Sequence, residues 1–190
     1  MDILWRTLQE PGLEHLSLTQ HEDDGYTADG EVLGIAGGQP FRLYYEVNLD
    51  SAFQLDSVNL VCSFPEYRVL ELFPGADGRW YDGDGAELPD LRGCQYIDIM
   101  ASPFTNTLPV RRLAWTPGAS ADITVAYIAV PSLECFPQRQ RYTCLEMTAT
   151  GSRFRYEGLD TGFRAEVQFN ADGLVTAYGD IWERAWDKNS

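Results

Sequence analysis

The sequence predicts a mainly β protein in which one large, curved, many-stranded antiparallel sheet wraps around a single short helix at about residues 103–113. Three observations carry this reading. Apolar and polar residues alternate with period two along most of the 190-residue chain, as half-buried strands require. Asp-Gly and Gly-Gly pairs punctuate the alternation, and no helical pattern of more than about three turns is visible. One stretch breaks the pattern: SPFTNTLPVRRL, Ser102 to Leu113, has two prolines, three consecutive hydrogen-bonding side chains and paired arginines.

In chain order, the candidate strands are Leu13 to Leu18, Glu31 to Ile35, Phe41 to Leu49, Val58 to Phe64, Tyr67 to Phe73, Tyr96 to Met100, Ile123 to Val130, Tyr142 to Thr148, Arg153 to Tyr156, Phe163 to Phe169 and Leu174 to Tyr178. Phe41, Leu43, Tyr45, Val47 and Leu49 form one apolar face, whereas Ile123 to Val130 is apolar on both and reads as a strand covered on both sides. Asp29-Gly30, Gly37-Gly38, Asp77-Gly78, Asp82-Gly83-Asp84-Gly85 and Asp172-Gly173 supply the positive φ values of tight turns. So many short strands must curl or stack to hide their edges.

The segment at 102–113 is the helix candidate. Ser102 can N-cap it and Pro103 suits the first helical position. Pro109 would forfeit the bond to the Thr105 carbonyl, which predicts either a kinked helix or a short turn followed by a second one capped by Thr107.

Composition bounds the function. No linker divides the chain, so residues 1–190 read as one domain, and no run approaches the roughly 20 apolar residues of a membrane-spanning helix. The N-terminus MDILWRTLQE has no basic stretch followed by an apolar one, which reads as a cytoplasmic protein. Cys62, Cys94, Cys135 and Cys144 lie far apart and read as reduced and mostly buried. A formal net charge of −15 opposes nucleic acid and anionic membrane surfaces as partners. Lys188 is the sole lysine, so neither Schiff-base nor P-loop chemistry is expected.

Few constellations suggest chemistry. His15 and His21 stand near Glu14, Glu22, Asp23 and Asp24, but their spacing fits no close same-face metal pair, and no metal or cofactor is expected. The Asp82 to Gly85 repeat lacks the order of a calcium loop and reads as a double turn. Asp98 differs because it sits inside the apolar strand Tyr96-Ile97-Asp98-Ile99-Met100, opposite in facing to Ile97 and Ile99. A buried carboxylate demands a partner, and one of Arg111 and Arg112 is the nearest supply in sequence.

Gly93-Cys94 through Leu113, GCQYIDIMASPFTNTLPVRRL, closely resembles the signature of a bacterial family described as putative glycolipid-binding, long catalogued as a domain of unknown function. The likeness extends from Gly12-Leu13-Glu14 through Asp77-Gly78-Arg79-Trp80 and Asp172-Gly173-Leu174-Val175 to Trp182-Glu183-Arg184. It implies an antiparallel sheet around one helix, distantly similar to lipoprotein localisation factors, tight homodimers, and an acidic pocket for a sugar or lipid headgroup. This chain departs from the family pattern at Tyr96, where a further Asp is common, at Ala177 and Gly179 beside Tyr178, and over Phe53 to Asp56.

Taken together, these features suggest a non-catalytic binder of a glycolipid or related amphiphile. Asp98, Asn106 and Glu14 would accept hydrogen bonds from sugar hydroxyls, with Thr105 beside them; Arg111 or Arg112 would organise the carboxylates. Trp80, Tyr142 and Tyr178 would supply stacking faces. Two alternatives stay open: an enzyme using two carboxylates on a glycolipid, and a ligand-free structural or dimer module in which SPFTNTLPVRRL fills the sheet.

Overall fold

Fourteen strands form one sheet in the computed structural model, which describes residues 1–188. Asn189 and Ser190, the end of the expected domain, lie outside the described residues. The strands are β1 (Asp2–Thr7), β2 (Leu13–Gln20), β3 (Tyr26–Ala36), β4 (Gln39–Leu49), β5 (Leu55–Phe64), β6 (Arg68–Pro74), β7 (Trp80–Asp82), β8 (Tyr96–Ile99), β9 (Ser120–Ile128), β10 (Cys135–Thr148), β11 (Gly151–Gly158), β12 (Arg164–Asn170), β13 (Val175–Tyr178) and β14 (Trp182–Asp187). Their order is β7-β6-β5-β4-β3-β2-β1-β14-β13-β12-β11-β10-β9-β8. Consecutive antiparallel pairings build each half up to β9, and β1 joins the halves by pairing with β14.

All predicted strands form, several of them longer at one end. Three went unpredicted: β1, β7 and β14. In β1, Ile3 and Trp5 point inward and are fully buried, and the Trp5 indole donates to the Val175 carbonyl at 2.9 Å. Every pairing is antiparallel except β8 with β9, which run parallel. The 20 residues from Met100 to Ala119 between them make this possible, because a parallel pair needs a crossover of a dozen or more residues. The SPFTNTLPVRRL segment is that crossover.

The Asp29-Gly30 pair is not a turn. It lies within β3, and a β-carbon on Gly30 would stand 2.1 Å from the Tyr45 ring, so the glycine lets this ring lie against the neighbouring backbone. Gly37-Gly38 does turn β3 into β4, with φ of +57° and +76°.

The crossover starts as a 3-10 turn, Phe104–Asn106, and continues as the α-helix α1, Thr107–Arg112. Of the two predicted forms, the turn followed by a second turn is the one adopted. Pro109 falls in the first turn of α1, where backbone N–H groups lack intrahelical partners anyway, so the proline sacrifices nothing. Thr107 does not cap: its hydroxyl has no hydrogen-bond partner, whereas the Ser102 hydroxyl accepts from the Phe104 N–H at 3.1 Å.

Ala101 to Pro109 is buried without interruption. Ser102 bonds to Glu14 on β2, and Asn106, four residues on, bonds to Tyr142 on β10. Five strands separate β2 from β10 in the sheet order, which in a flat sheet would put them about 29 Å apart. A turn only a few residues long reaches both, so the sheet is curled around it.

Candidate functional site: a tyrosine-walled cleft at Asp98

Asp98 sits on β8 immediately before the crossover, and its carboxylate is held by neutral donors. The Thr105 hydroxyl donates to one oxygen at 3.0 Å and the Gln140 side-chain amide to the other at 2.6 Å. Burial raises the Asp98 carboxyl from its ordinary value, and the Gln140 and Thr105 donors oppose that rise.

The carboxylate faces a cleft of about 370 Å³, within the size range of small-molecule pockets. Tyr127 on β9, opposite Asp98 in the register, forms one wall, and Tyr156 and Tyr178 form another. Tyr156 packs edge-on against Tyr178 with ring centroids 5.8 Å apart, and Phe163 leans on both. Gln138, Asn106 and Ser102 contribute polar edges, and Met100, Ile181 and Trp182 close one side. Burial lifts the Tyr127 phenol to about 12 and raises the Tyr156 and Tyr178 phenols well above their ordinary value, so all three are neutral near physiological pH. Among the described residues lining the cleft, Asp98 is the single ionisable carboxyl and none is basic.

The predicted site residues divide into four groups. Asp98, Asn106 and Tyr178 line the cleft together. Thr105 and Tyr142 stand directly behind it: Thr105 fixes Asp98, and the Tyr142 hydroxyl donates to the Asn106 side-chain oxygen Oδ1 at 2.7 Å while the Asn106 side-chain amide donates to the Pro103 backbone carbonyl at 3.1 Å. Glu14 lies one residue removed. Its carboxyl accepts from the Ser102 hydroxyl at 2.6 Å and from Tyr45, its second oxygen has no partner, and burial pushes it up to about 8.

Three candidates are not brought to Asp98. Trp80 is buried on β7, its indole donating to the Cys94 carbonyl at 3.1 Å, beside a different hollow. Arg111 and Arg112 are exposed. The Arg111 guanidinium stacks 3.7 Å from the Phe53 ring, and Arg112 donates to Gln54 at 3.2 Å. The ion pair expected from sequence therefore does not form: α1 carries both arginines past the inner end of the segment to its exposed end, whereas Asp98 is satisfied at the buried end.

Gln138, Gln140, Tyr127, Tyr156, Phe163 and Trp182 were missed. For the glutamines a signal existed. In Gln138-Arg139-Gln140-Arg141-Tyr142 the glutamines and the tyrosine point inward and are buried, while the arginines point out to Asp160 and Asp122. A period-two pattern made of two polar residue types is invisible to hydropathy.

The histidines stay apart: His15 faces Asp2 at 3.5 Å and His21 contacts Thr27 at 2.8 Å. Among the described residues no three His, Cys, Asp or Glu side chains converge as a metal site would require. Cys62, Cys94 and Cys144 are buried and Cys135 is half-buried, all four as free thiols. Among the described residues no helix is long and apolar enough to cross a membrane.

The model of a family described as "Putative glycolipid-binding" matches residues 2–184. The fold also matches the 1.80 Å crystal structure of a DUF1089 family protein from Pseudomonas aeruginosa, with a TM-score of 0.77, 33% identity and 91% of each chain covered. No curated protein matches the sequence. A match spanning nearly the whole chain, on a sheet curled around the signature segment, establishes that this protein belongs to the putative glycolipid-binding family.

Proposed function

We propose that the protein binds the uncharged, hydroxyl-rich headgroup of a glycolipid or related amphiphile in the Asp98 cleft, without transforming it. One observation carries this reading: a carboxylate held by two neutral donors, facing a cleft whose other walls are tyrosine rings and amide edges, with no cation to neutralise it. Each Asp98 oxygen keeps acceptor capacity for a sugar hydroxyl, and the rings of Tyr156 and Tyr178 offer faces to sugar C–H surfaces. Phosphorylated or carboxylated headgroups would meet this carboxylate and a net charge of −15 with no compensating base in the cleft. A single carboxyl also favours binding over hydrolysis, since glycoside cleavage generally uses a pair flanking the bond. Glu14, the other buried acid nearby, is sealed behind Ser102.

The test is thermal-shift and calorimetric titration with neutral alkyl glucosides, free sugars and their phosphorylated counterparts. Neutral ligands are expected to stabilise the protein, phosphorylated ones to do so at least tenfold less effectively, and Asp98→Asn to weaken neutral binding by about tenfold or more with the circular dichroism spectrum kept. Absence of any shift across the panel would sink the reading.

The proposal extends to a homodimer in a reducing, cytoplasmic setting, which the four free thiols support. The outer face of β2 to β6 carries Leu13, Leu33, Tyr44, Phe64 and Val69, each more than 40% exposed, and Leu13 pairs directly with Leu33 across strands. Exposed apolar side chains gathered on one sheet face, here with Arg42 between Leu33 and Phe64, support an association surface. Sedimentation should give twice the 21.4 kDa chain mass, and Tyr44→Glu with Val69→Glu should return it to monomer; a wild-type monomer at micromolar concentration counts against the dimer.

A further inference from the structure

The cleft has a second hollow beside it. Met100, Ile181 and Trp182 line the Asp98 cleft on one side and, on the other, a groove of about 190 Å³ at the rim of the curled sheet. The groove runs between the β1–β2 turn and the β3–β4 hairpin, and its floor is apolar: Val32, Ile35 and Phe41 line it. Gly34 adds no side chain to fill it, and a β-carbon there would stand 2.8 Å from the Phe41 ring.

Its chemistry is opposite to that of the cleft. The Thr7 hydroxyl is engaged within its own turn, by the carbonyls of Glu10 and Gly12, and the Gln9 and Glu10 residues are exposed at the rim. The groove floor thus offers hydrocarbon contact where the cleft offers acceptors. The divide between the two is Met100, 40% exposed at the end of β8, an unbranched side chain able to take several rotamers over whatever lies across it.

We propose that this groove receives the hydrocarbon tail of the amphiphile whose headgroup occupies the Asp98 cleft, the chain passing over Met100. The inference rests on the cleft reading for the headgroup, and on the groove's own apolar lining and its shared wall for the tail. The headgroup's alkyl substituent leaves a cleft whose one wall is also a wall of the groove, so the tail need not enter water. A tail directed to bulk solvent would gain nothing from added methylenes; one laid in the groove gains about threefold to fourfold in affinity for each, until the groove is filled.

The experiment measures affinities of wild type, Ile35→Glu, Ile35→Trp and Asp98→Asn for n-alkyl glucosides from hexyl to decyl below their micellar concentrations. In parallel, n-alkanols of the same lengths displace the neutral fluorophore N-phenyl-1-naphthylamine. Ile35 is half-buried at the hairpin end, and the charged and the bulky replacements obstruct the groove by different means, with folding checked by circular dichroism. The expected result is a chain-length gain in wild type and in Asp98→Asn, the latter weaker throughout for glucosides, and loss of most of that gain in both Ile35 variants. A gain that survives in both Ile35 variants overturns the groove as the tail site, as does the absence of any chain-length dependence in wild type. If alkanols and glucosides both depend on Ile35 while Asp98→Asn changes nothing, the groove stands as a hydrocarbon site and the cleft reading falls.

Discussion

Phe104→Ala is expected to lower the unfolding free energy by about 3–5 kcal/mol, the cost of deleting a fully buried aromatic ring and leaving a cavity behind. Phe104 has no exposed surface and starts the 3-10 turn in the buried first half of the crossover. Its neighbours bind three separate parts of the sheet: Ser102 reaches Glu14 on β2, Thr105 reaches Asp98 on β8, and Asn106 accepts from Tyr142 on β10. The ring is thus the apolar filling between polar anchors that hold the curl of the sheet. Collapse around the vacancy would pull at least one anchor from its partner, which places the effect toward the upper end of the range. Urea unfolding of Phe104→Ala beside Leu113→Ala, at the half-buried far end of the segment, separates this role from generic loss of apolar area. Equal and small losses, under about 1 kcal/mol in both, would mean that the sheet holds its shape without the crossover.

How far such a role could be seen in the sequence depends on whether the information was local. Strands such as β4 were legible because Phe41 through Leu49 alternates and one face is fully inside. β1 was not, because Leu4 breaks the alternation of DILWRT, although Ile3 and Trp5 still face the core. Gly30 was misread because a glycine beside an aspartate signals a turn, yet the same residue also serves where a ring must lie against backbone. The site was half legible. Asp98 stood out as an acid in an apolar strand, and Asn106 and Thr105 as polar residues in the signature segment. The donors that satisfy Asp98 come from Thr105, seven residues on, and Gln140, 42 residues on. Local proximity favoured Arg111 and Arg112 instead, and charge complementarity made that choice attractive. A buried carboxylate can equally be met by neutral donors, and only the sheet order places β10 next but one to β8, across β9.

Glu14→Gln is expected to make the protein more stable, and increasingly so as the pH rises. The Glu14 carboxyl is wholly buried, and desolvation lifts it from an ordinary 4.5 to about 8, against the opposing hydrogen bonds from Ser102 and Tyr45. Between these two values the folded chain holds a proton that the unfolded chain releases, so each step upward in pH favours unfolding, by at most about 1.4 kcal/mol per unit. The stability that the protonated carboxyl contributes is therefore complete below about 4.5 and lost as pH rises through about 8. Glutamine is neutral at every pH and keeps an oxygen for Ser102 and Tyr45. The variant should match wild type near pH 5 and exceed it by about 2–4 kcal/mol at pH 8, levelling off above that. Asp98, also raised by burial, contributes to both proteins and cancels in the difference. Urea titrations of the pair at five pH values from 5 to 9 give that difference directly. A gap that stays constant across the range would show that Glu14 is already ionised when folded, and that its partnerless oxygen is stabilised by something other than a proton.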